Sequence, residues 1–173
     1  YAFHMPGHKR NMELMRARLP YNIDITEIDG FDDLHHAEEL LKELQENAAR
    51  VFHAEETHYL VNGSTVGLLS AVMGCTERGG RILMARNGHK SVYNAIYINE
   101  LRPVYIYPEF SEETDLNGEI HVDQIKKLLE EYEDIQAVVI VSPTYEGVVS
   151  DIEAIAEIVH EYKIPLIVDE AHG

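Results

Sequence analysis

Residues 137–141 read Ala-Val-Val-Ile-Val, and residues 165–168 read Pro-Leu-Ile-Val. An uninterrupted apolar run of this length is typical of a strand that is buried on both faces of a parallel sheet. Between the two runs, Ser150 and Glu153 fit a capping box that opens a helix. The apolar residues of this helix recur at helical spacing: Ile152, Ile155, Ala156, Val159 and Tyr162. Strand, helix and strand in this order predict a right-handed βαβ crossover and a doubly wound α/β layer.

The rest of the chain shows the same alternation of helical and strand patterns. Apolar periodicity predicts helices over residues 37–52, 65–75, 90–99 and 122–132. Short β-prone runs predict strands over residues 57–61, 81–85 and 103–107. The expected fold class is therefore α/β, a three-layer αβα domain with a mostly parallel sheet.

Composition excludes several classes of function. The net charge of −17 over 173 residues argues against binding to nucleic acid or to an anionic membrane, because both carry dense negative charge. No run of 18 apolar residues occurs, so a transmembrane span is not expected. The single cysteine, Cys75, permits no intramolecular disulfide and fits a reducing cytoplasm. The acidic balance would suit a cationic substrate, although most carboxylates are expected on the solvated surface.

Polar residues follow several of the predicted strands. Ligands of open α/β sheets bind outside the carboxyl ends of the strands, which selects four groups of residues as candidates. These groups are residues 62–65, 88–89, 143–145 and 169–172.

The first group reads Asn62-Gly63-Ser64-Thr65 and leads into a predicted helix. A glycine turn at a helix N-terminus presents free N–H groups and two hydroxyls, which together can bind a phosphate. A plain N-capped turn explains the same residues, so this group alone leaves both interpretations open.

The last group reads Asp169-Glu170-Ala171-His172 and follows a buried strand. A carboxylate at such a position requires a cation or hydrogen-bond donors. The same four letters form the DEAH box of helicase-like ATPases, but those proteins need a GxxxxGK[ST] phosphate loop upstream. No lysine follows Gly67 in the glycine-containing turn here, and the acidic charge does not suit a nucleic-acid motor. The ATPase interpretation is therefore rejected.

Metal binding is the other alternative for the acidic and histidine residues. His172 with Asp169, or His4 with His8, could ligate zinc. No HExxH pattern is present, and the other histidines are scattered along the chain. No metal site is expected.

Three of these features together suit pyridoxal 5'-phosphate (PLP). Its phosphate needs the donors at Ser64 and Thr65, and its ring needs a planar partner such as His89. Its pyridine nitrogen needs a carboxylate, Asp169, that keeps it protonated and so makes the ring an electron sink.

Longer motifs resemble one family, the Orn/Lys/Arg decarboxylases of PLP fold type I, in the shorter form common in Gram-positive bacteria. The resemblance covers nearly the whole chain. The motifs that carry it are His4-Met5-Pro6-Gly7-His8-Lys9, Asp24-Ile25-Thr26-Glu27, Asp32-Asp33-Leu34-His35, Leu60-Val61-Asn62-Gly63-Ser64-Thr65, Arg86-Asn87-Gly88-His89-Lys90-Ser91-Val92, Ser142-Pro143-Thr144-Tyr145-Glu146-Gly147 and Val168-Asp169-Glu170-Ala171-His172-Gly173.

The resemblance implies a role for each matching residue. Gly63, Ser64 and Thr65 would bind the phosphate, and the two catalytic residues would be His89, stacked on the ring, and Asp169, paired with the pyridine nitrogen. The resemblance places Ala171 on the opposite face of the ring and His172 beside the cofactor. Less directly, it places Thr144 near the ring. Residues 1–36 would form an extended segment that reaches an active site or dimer interface, and residues 37–173 an incomplete PLP-binding large domain. The protein would be a homodimer or a higher homo-oligomer.

The reaction implied is the decarboxylation of arginine, lysine or ornithine to agmatine, cadaverine or putrescine. Another fold-type-I PLP enzyme, such as an aminotransferase or lyase, and a non-catalytic domain with this fold remain as alternatives. The chain begins at Tyr1 and ends at Gly173, and both ends are expected to be cuts in a longer polypeptide.

One departure concerns the lysine that anchors PLP as a Schiff base. The family carries it downstream of the motif that ends at Gly173. The lysines present are Lys9, Lys42, Lys90, Lys126, Lys127 and Lys163. All six precede the expected position of the anchor, and Lys90 belongs to the block that carries the ring-stacking histidine. None of the six is therefore the expected anchor. The 173 residues alone are therefore expected to lack decarboxylase activity and to bind PLP weakly.

Overall fold

The computed structural model describes residues 7–9, 11–13, 19–25 and 30–173. The chain forms two compact units, Tyr1–Tyr59 and Leu60–Gly173. Residues 4–6 of the first motif and residues 26–27 of the second lie outside the described residues. The division into an extended segment over residues 1–36 and a large domain over residues 37–173 stays a prediction.

The first unit contains a 3-10 helix, Tyr21–Ile23, and helix α1, Leu40–Val51. Helix α1 begins three residues later than predicted. The free backbone N–H groups at its start are bonded by Asp32, and not by a residue next to the helix. The Asp32 carboxylate accepts hydrogen bonds from the backbone N–H groups of Asp33, Glu38, Glu39 and Leu41, at 2.8–3.1 Å. Desolvation opposes ionisation of this carboxylate, but the four N–H groups prevail and lower the pKa of Asp32 from 3.8 to about 2.

The second unit is built on a four-stranded parallel sheet. In chain order its elements are α2 (Gly63–Cys75), β1 (Arg81–Ala85), α3 (Lys90–Ile98), β2 (Arg102–Ile106), β3 (Phe110–Ser111), β4 (Leu116–Asn117), α4 (Val122–Glu131), β5 (Ile135–Val141), α5 (Ile152–Glu161) and β6 (Leu166–Asp169). The strand order is β2-β1-β5-β6, and strands β3 and β4 form a separate antiparallel pair. The predicted pairing of the two apolar runs is confirmed, because β5 and β6 are parallel neighbours.

Helices cover both faces of this sheet. Ile82 and Met84 of β1 belong to one apolar cluster, with residues of α2 and α3, whereas Leu83 belongs to a second cluster, with residues of α4 and α5. Successive residues of a strand point to opposite faces, so the two clusters lie on opposite sides of the sheet. This arrangement confirms the predicted three-layer αβα fold class.

The predicted strand over residues 57–61 is wrong, because the structure forms no strand there. The Tyr59 N–H donates to Gln45 Oε1 at 3.0 Å, and the Tyr59 hydroxyl donates to the carbonyl of Leu44 at 3.1 Å. These contacts with α1 hold the segment in the absence of a partner strand. Its β propensity reflects side-chain shape only, since no neighbouring strand pairs with it.

The predicted capping box at Ser150 and Glu153 is also wrong. Asp151 is the N-cap of α5, and its carboxylate accepts from the Ala154 N–H at 3.1 Å. The Ser150 hydroxyl instead accepts from the N–H of Ile120 at 3.1 Å, so it joins two separate loops. No helix in the described ranges is long and apolar enough to span a membrane.

Candidate functional site

A cavity of about 380 Å³ opens at the carboxyl edge of the sheet. Its volume lies within the range of about 300–1,000 Å³ that is usual for small-molecule sites. The residues that line it come from all four candidate groups: Ser64, Thr65, Leu68, Asn87, His89, Val141, Tyr145, Asp169, Ala171 and His172. The structure therefore brings together every predicted site residue except Gly63, which precedes Ser64 as the first residue of α2, and Thr144.

The N-terminus of α2 supplies hydrogen-bond donors to this cavity. Gly63 has a φ of +66°, a left-handed conformation that glycine adopts without strain, and this conformation starts the helix directly after the turn. Asn62, at the N-cap, makes no side-chain capping hydrogen bond. The N–H groups of the first turn and the hydroxyls of Ser64 and Thr65 are therefore available to an anion, which the helix dipole also favours.

Asp169 supplies a buried carboxylate at the end of β6, with 7% of its surface exposed. Asp169 and Ile167 are two residues apart on β6, so their side chains point to the same face of the sheet. Ile167 packs with the cluster of α2 and α3, and Asp169 therefore lies on the α2 side. Its Oδ1 accepts one hydrogen bond, from the Ala171 N–H at 3.2 Å. Among the described residues no Lys, Arg or His pairs with it. A carboxylate desolvated in this way is stabilised by a cation, so the cavity favours a ligand with positive charge at this position.

His89 caps helix α3 and is held by Ser91. The N–H of Ser91 donates to His89 Nδ1 at 3.3 Å, and the Ser91 hydroxyl lies 2.9 Å from the same nitrogen. Because Nδ1 accepts the backbone N–H, the neutral ring carries its hydrogen on Nε2. The orientation of the imidazole is therefore set by the start of the helix, independently of a ligand.

The loop after β5 contributes Tyr145 to the cavity, not Thr144. Thr144 is buried, and its hydroxyl accepts from the Val148 N–H at 3.2 Å within a tight turn. Tyr145 is exposed, and its ring meets the ring of His172 edge-on, with 5.3 Å between the centroids. Tyr145 therefore lines the cavity and Thr144 does not, while the proximity of Thr144 to a cofactor ring stays a prediction.

Sequence reasoning gave no role to four lining residues, Leu68, Asn87, Val141 and Tyr145, although Tyr145 belonged to one of the four candidate groups. Leu68 follows Thr65 by one helical turn, and Val141 ends the strand that the sequence identified, so periodicity could have located both. Tyr145 and Asn87 stand inside motifs that the sequence singled out, but side-chain direction in a loop is not encoded in spacing.

Of the metal candidates, Asp169 and His172 line the cavity, and His8 belongs to the first unit. Across the described ranges, no three His, Cys, Asp or Glu side chains gather as metal ligands. His8 pairs with Asp24 at 2.7 Å and stacks on Tyr21, whereas His4 lies outside the described residues. Lys90 is exposed at the start of α3, and no lysine lines the cavity in the described part of the chain.

The comparison with protein families decides the identity of this arrangement. The whole sequence, residues 1–173, matches the family model described as Orn/Lys/Arg decarboxylase, major domain. The chain belongs to the Orn/Lys/Arg decarboxylase family. The motifs that suggested this resemblance therefore identified the family correctly.

Curated relatives of the Orn/Lys/Arg decarboxylase family match along the chain. Arginine decarboxylase of Bacillus cereus is 37% identical over 99% of this chain and 38% of its own length. Arginine decarboxylase of Bacillus subtilis is 34% identical over 99% of this chain and 36% of its own length. Lysine decarboxylase LdcA of Pseudomonas aeruginosa is 25% identical over 85% of this chain and 20% of its own length. The chain thus spans well under half the length of these relatives.

Solved structures share the fold at low sequence identity. The SepCysS–SepCysE N-terminal domain complex matches with a TM-score of 0.62 and 18% identity, over 75% of this chain and 35% of that one. Cystalysin from Treponema denticola, whose structure contains a pyridoxal 5'-phosphate cofactor, matches with a TM-score of 0.53 and 19% identity, over 62% of this chain and 27% of that one. Likenesses of this degree support the α/β fold with its parallel sheet.

The residues of the cavity fit PLP. A helix N-terminus with two hydroxyls suits the phosphate, and a buried carboxylate that has no cationic partner among the described residues suits a protonated ring nitrogen. Apolar side chains of Leu68, Val141 and Ala171 provide the surface that a flat aromatic ring needs. The cavity therefore offers hydrogen-bond donors to the phosphate and a hydrogen-bond acceptor to the ring nitrogen of the cofactor.

Proposed function

We propose that the intact protein is a PLP-dependent decarboxylase of a basic amino acid. The observation that carries this proposal is the position of Asp169 in the same cavity as Ser64, Thr65 and His89. Asp169 is a buried carboxylate that no cationic side chain of the described residues pairs with. Membership of the Orn/Lys/Arg decarboxylase family supports the reaction class.

Each predicted site residue has a place in this proposal. Ser64 and Thr65, with the first turn of α2 that begins at Gly63, bind the phosphate. The imidazole of His89 and the side chain of Ala171 would hold the ring of the cofactor between them. His172, whose ring contacts Tyr145, lies beside the cofactor.

Asp169 has the main electrostatic role. It accepts a hydrogen bond from the protonated pyridine nitrogen and holds the proton there. When bound, PLP supplies an electron sink for the electron pair that remains as the α-carboxylate leaves as CO₂. The hydrogen bond from Ala171 fixes the carboxylate, so little reorganisation is needed during the reaction. Ser91 similarly holds the ring of His89 in place before the cofactor binds.

Arginine is the favoured substrate in this proposal. The arginine decarboxylases of Bacillus cereus and Bacillus subtilis match 99% of the chain, at 37% and 34% identity. The inducible ornithine decarboxylase of Lactobacillus sp. matches 36% of it. The net charge of −17 also favours the approach of a cationic amino acid. Lysine and ornithine remain the competing substrates.

We further propose a dimer-based homo-oligomer that acts in the cytoplasm. Residues 1–36 would contribute to an active site or to the dimer interface, as family resemblance implies. The single, exposed Cys75 is compatible with a reducing compartment. Sedimentation velocity of the full-length protein would test the assembly.

The reaction is tested by incubating the full-length protein and PLP with carboxyl-labelled arginine, lysine or ornithine. Labelled CO₂ together with the amine product, fastest from arginine, supports the proposal. Formation of a keto acid without CO₂ would show that the protein is an aminotransferase. Tight PLP binding without turnover of any of the three would show a non-catalytic domain.

A further inference from the structure

The loop between β1 and α3 is held by hydrogen bonds on both sides of Asn87. The N–H of Arg86 donates to the carbonyl of Ile106 at 2.8 Å, and the hydroxyl of Tyr93 donates to the carbonyl of Arg86 at 2.6 Å. The N–H of Gly88 donates to the carbonyl of Ala85 at 3.0 Å. These bonds fix the backbone of Asn87 at the edge of the cavity.

The side chain of Asn87 takes no part in this network. Its Oδ1 is the one buried side-chain polar atom that lacks a hydrogen-bond partner in the described part of the chain. Its Nδ2 makes no hydrogen bond to the described residues either, but is in contact with solvent. An unsatisfied buried carbonyl destabilises a fold, so a polar side chain at this position is not explained by stability.

Backbone geometry does not explain the asparagine either. Asparagine is often selected for left-handed φ angles or for turns in which its side chain bonds the backbone. Asn87 has no positive φ, and its carboxamide bonds no backbone group in the described residues. Neither the φ angle at this position nor a side-chain bond to the backbone therefore requires asparagine.

We propose that Asn87 is a cofactor-binding residue whose Nδ2 donates a hydrogen bond to an anionic oxygen of PLP. Asn87 lines the same cavity as Ser64, Thr65 and His89. PLP carries anionic oxygens on its phosphate and on its ring, and an accessible N–H donor on a rigid loop is complementary to either. This inference rests on the proposed function and adds a site residue to it.

The test compares the apo forms of full-length wild type, Asn87→Ala and Asn87→Asp by fluorescence titration with PLP and by thermal unfolding. Asn87→Ala is expected to raise the dissociation constant for PLP about tenfold, as the loss of one hydrogen bond to a charged group predicts. Asn87→Asp is expected to bind more weakly still, because it loses the donor and adds negative charge beside an anion. The apo melting temperature of Asn87→Ala should equal or exceed that of wild type, since the unpaired carbonyl is removed.

Asn99 provides the matched control. Its Nδ2 donates to Thr76 Oγ1 at 3.0 Å, within the fold. Asn99→Ala should therefore lower the melting temperature and leave the affinity for PLP unchanged. If Asn87→Ala behaves like Asn99→Ala, or if Asn87→Asp binds PLP as well as wild type does, the inference about Asn87 is overturned. Failure of the wild-type protein to bind PLP would instead overturn the proposed function on which it rests.

Discussion

The backbone N–H of Ala171 holds Oδ1 of Asp169 at 3.2 Å, while Oδ2 of the same carboxylate has no hydrogen-bond partner in the described residues and is not sealed from solvent. The residue itself is 7% exposed. One oxygen therefore fixes the carboxylate, and the other is available to a cation in the cavity. A site of this kind is less stable when empty than when occupied, because a desolvated charge lacks its counter-charge.

Replacing Asp169 tests the role of this charge. Asp169→Asn is expected to reduce the rate of CO₂ release by the full-length protein about 10²–10³-fold, the usual effect of removing one preorganised electrostatic contact. The apo protein should melt at the same temperature or higher, because an uncompensated buried charge is removed. Asp151→Ala is the control: it removes the side-chain cap of α5 and should lower the melting temperature without slowing CO₂ release. Equal rates for Asp169→Asn and wild type would exclude the proposed role.

The hydroxyls at the start of α2 are tested by comparing PLP with pyridoxal, which lacks the phosphate. Ser64→Ala and Thr65→Val should each raise the dissociation constant for PLP about tenfold, because each removes a hydrogen bond to a charged group. Neither change should affect the binding of pyridoxal. An equal loss for both ligands would mean that these residues do not contact the phosphate.

Tyr93 should position the loop that carries Asn87 and His89. Its hydroxyl donates to the Arg86 carbonyl and accepts from Arg86 Nη1, both at 2.6 Å. Tyr93→Phe is expected to lower stability by about 1 kcal/mol and to weaken PLP binding several-fold, since the loop loses two hydrogen bonds. Tyr97, on the same helix, is 85% exposed, so Tyr97→Phe is the matched control. An unchanged affinity for PLP in Tyr93→Phe would show that the loop is held without this contact.

The pH dependence of the first unit should reflect Asp32. Its pKa is lowered from 3.8 to about 2, so its contribution to stability is complete above pH 3.8 and is lost as the pH falls through about 2. Asp32→Asn should therefore melt below wild type at neutral pH, with the difference shrinking between pH 4 and pH 2. Among the described residues, the carboxylate of Asp33 accepts one hydrogen bond, from the backbone N–H of His35 at 2.9 Å. Asp33→Asn can retain that bond and should melt like wild type. A difference between Asp32→Asn and wild type that persists unchanged at pH 2 would refute this assignment.

The sheet was predictable because hydrophobic patterning defines buried strands. Residues 137–141 and 165–168 correspond to β5 and β6, which pair in parallel as expected. Strand β2 begins at Arg102, one residue before the prediction, and includes Pro103, which an edge strand tolerates because that side of the strand needs no ladder hydrogen bond. Residues 57–61 have similar β propensity but no neighbouring strand, a condition that a local pattern does not report.

The candidate site was predictable as far as topology and motifs reach. The carboxyl ends of β1 and β6 lie at one edge of the parallel sheet and bring His89 and Asp169 into one cavity, although the two residues are distant in sequence. Ser64 joins them from the start of α2, which no strand directly precedes. Tyr145 lines the cavity and Thr144 does not, because Thr144 lies in a turn where its hydroxyl accepts a hydrogen bond from the Val148 N–H. The unpaired carboxamide of Asn87 likewise emerges only when all neighbouring hydrogen bonds are known. Both features follow from tertiary hydrogen bonding, which residue spacing does not encode.

The most direct test of the central claim is a crystal structure of the full-length protein with PLP. We expect the pyridine nitrogen within about 2.6–3.2 Å of an Asp169 carboxylate oxygen, a distance typical of a charge-assisted hydrogen bond. The phosphate should lie at Ser64 and Thr65, and the ring should stack against His89. PLP bound away from this cavity, or bound in it with the ring nitrogen turned away from Asp169, would contradict the account.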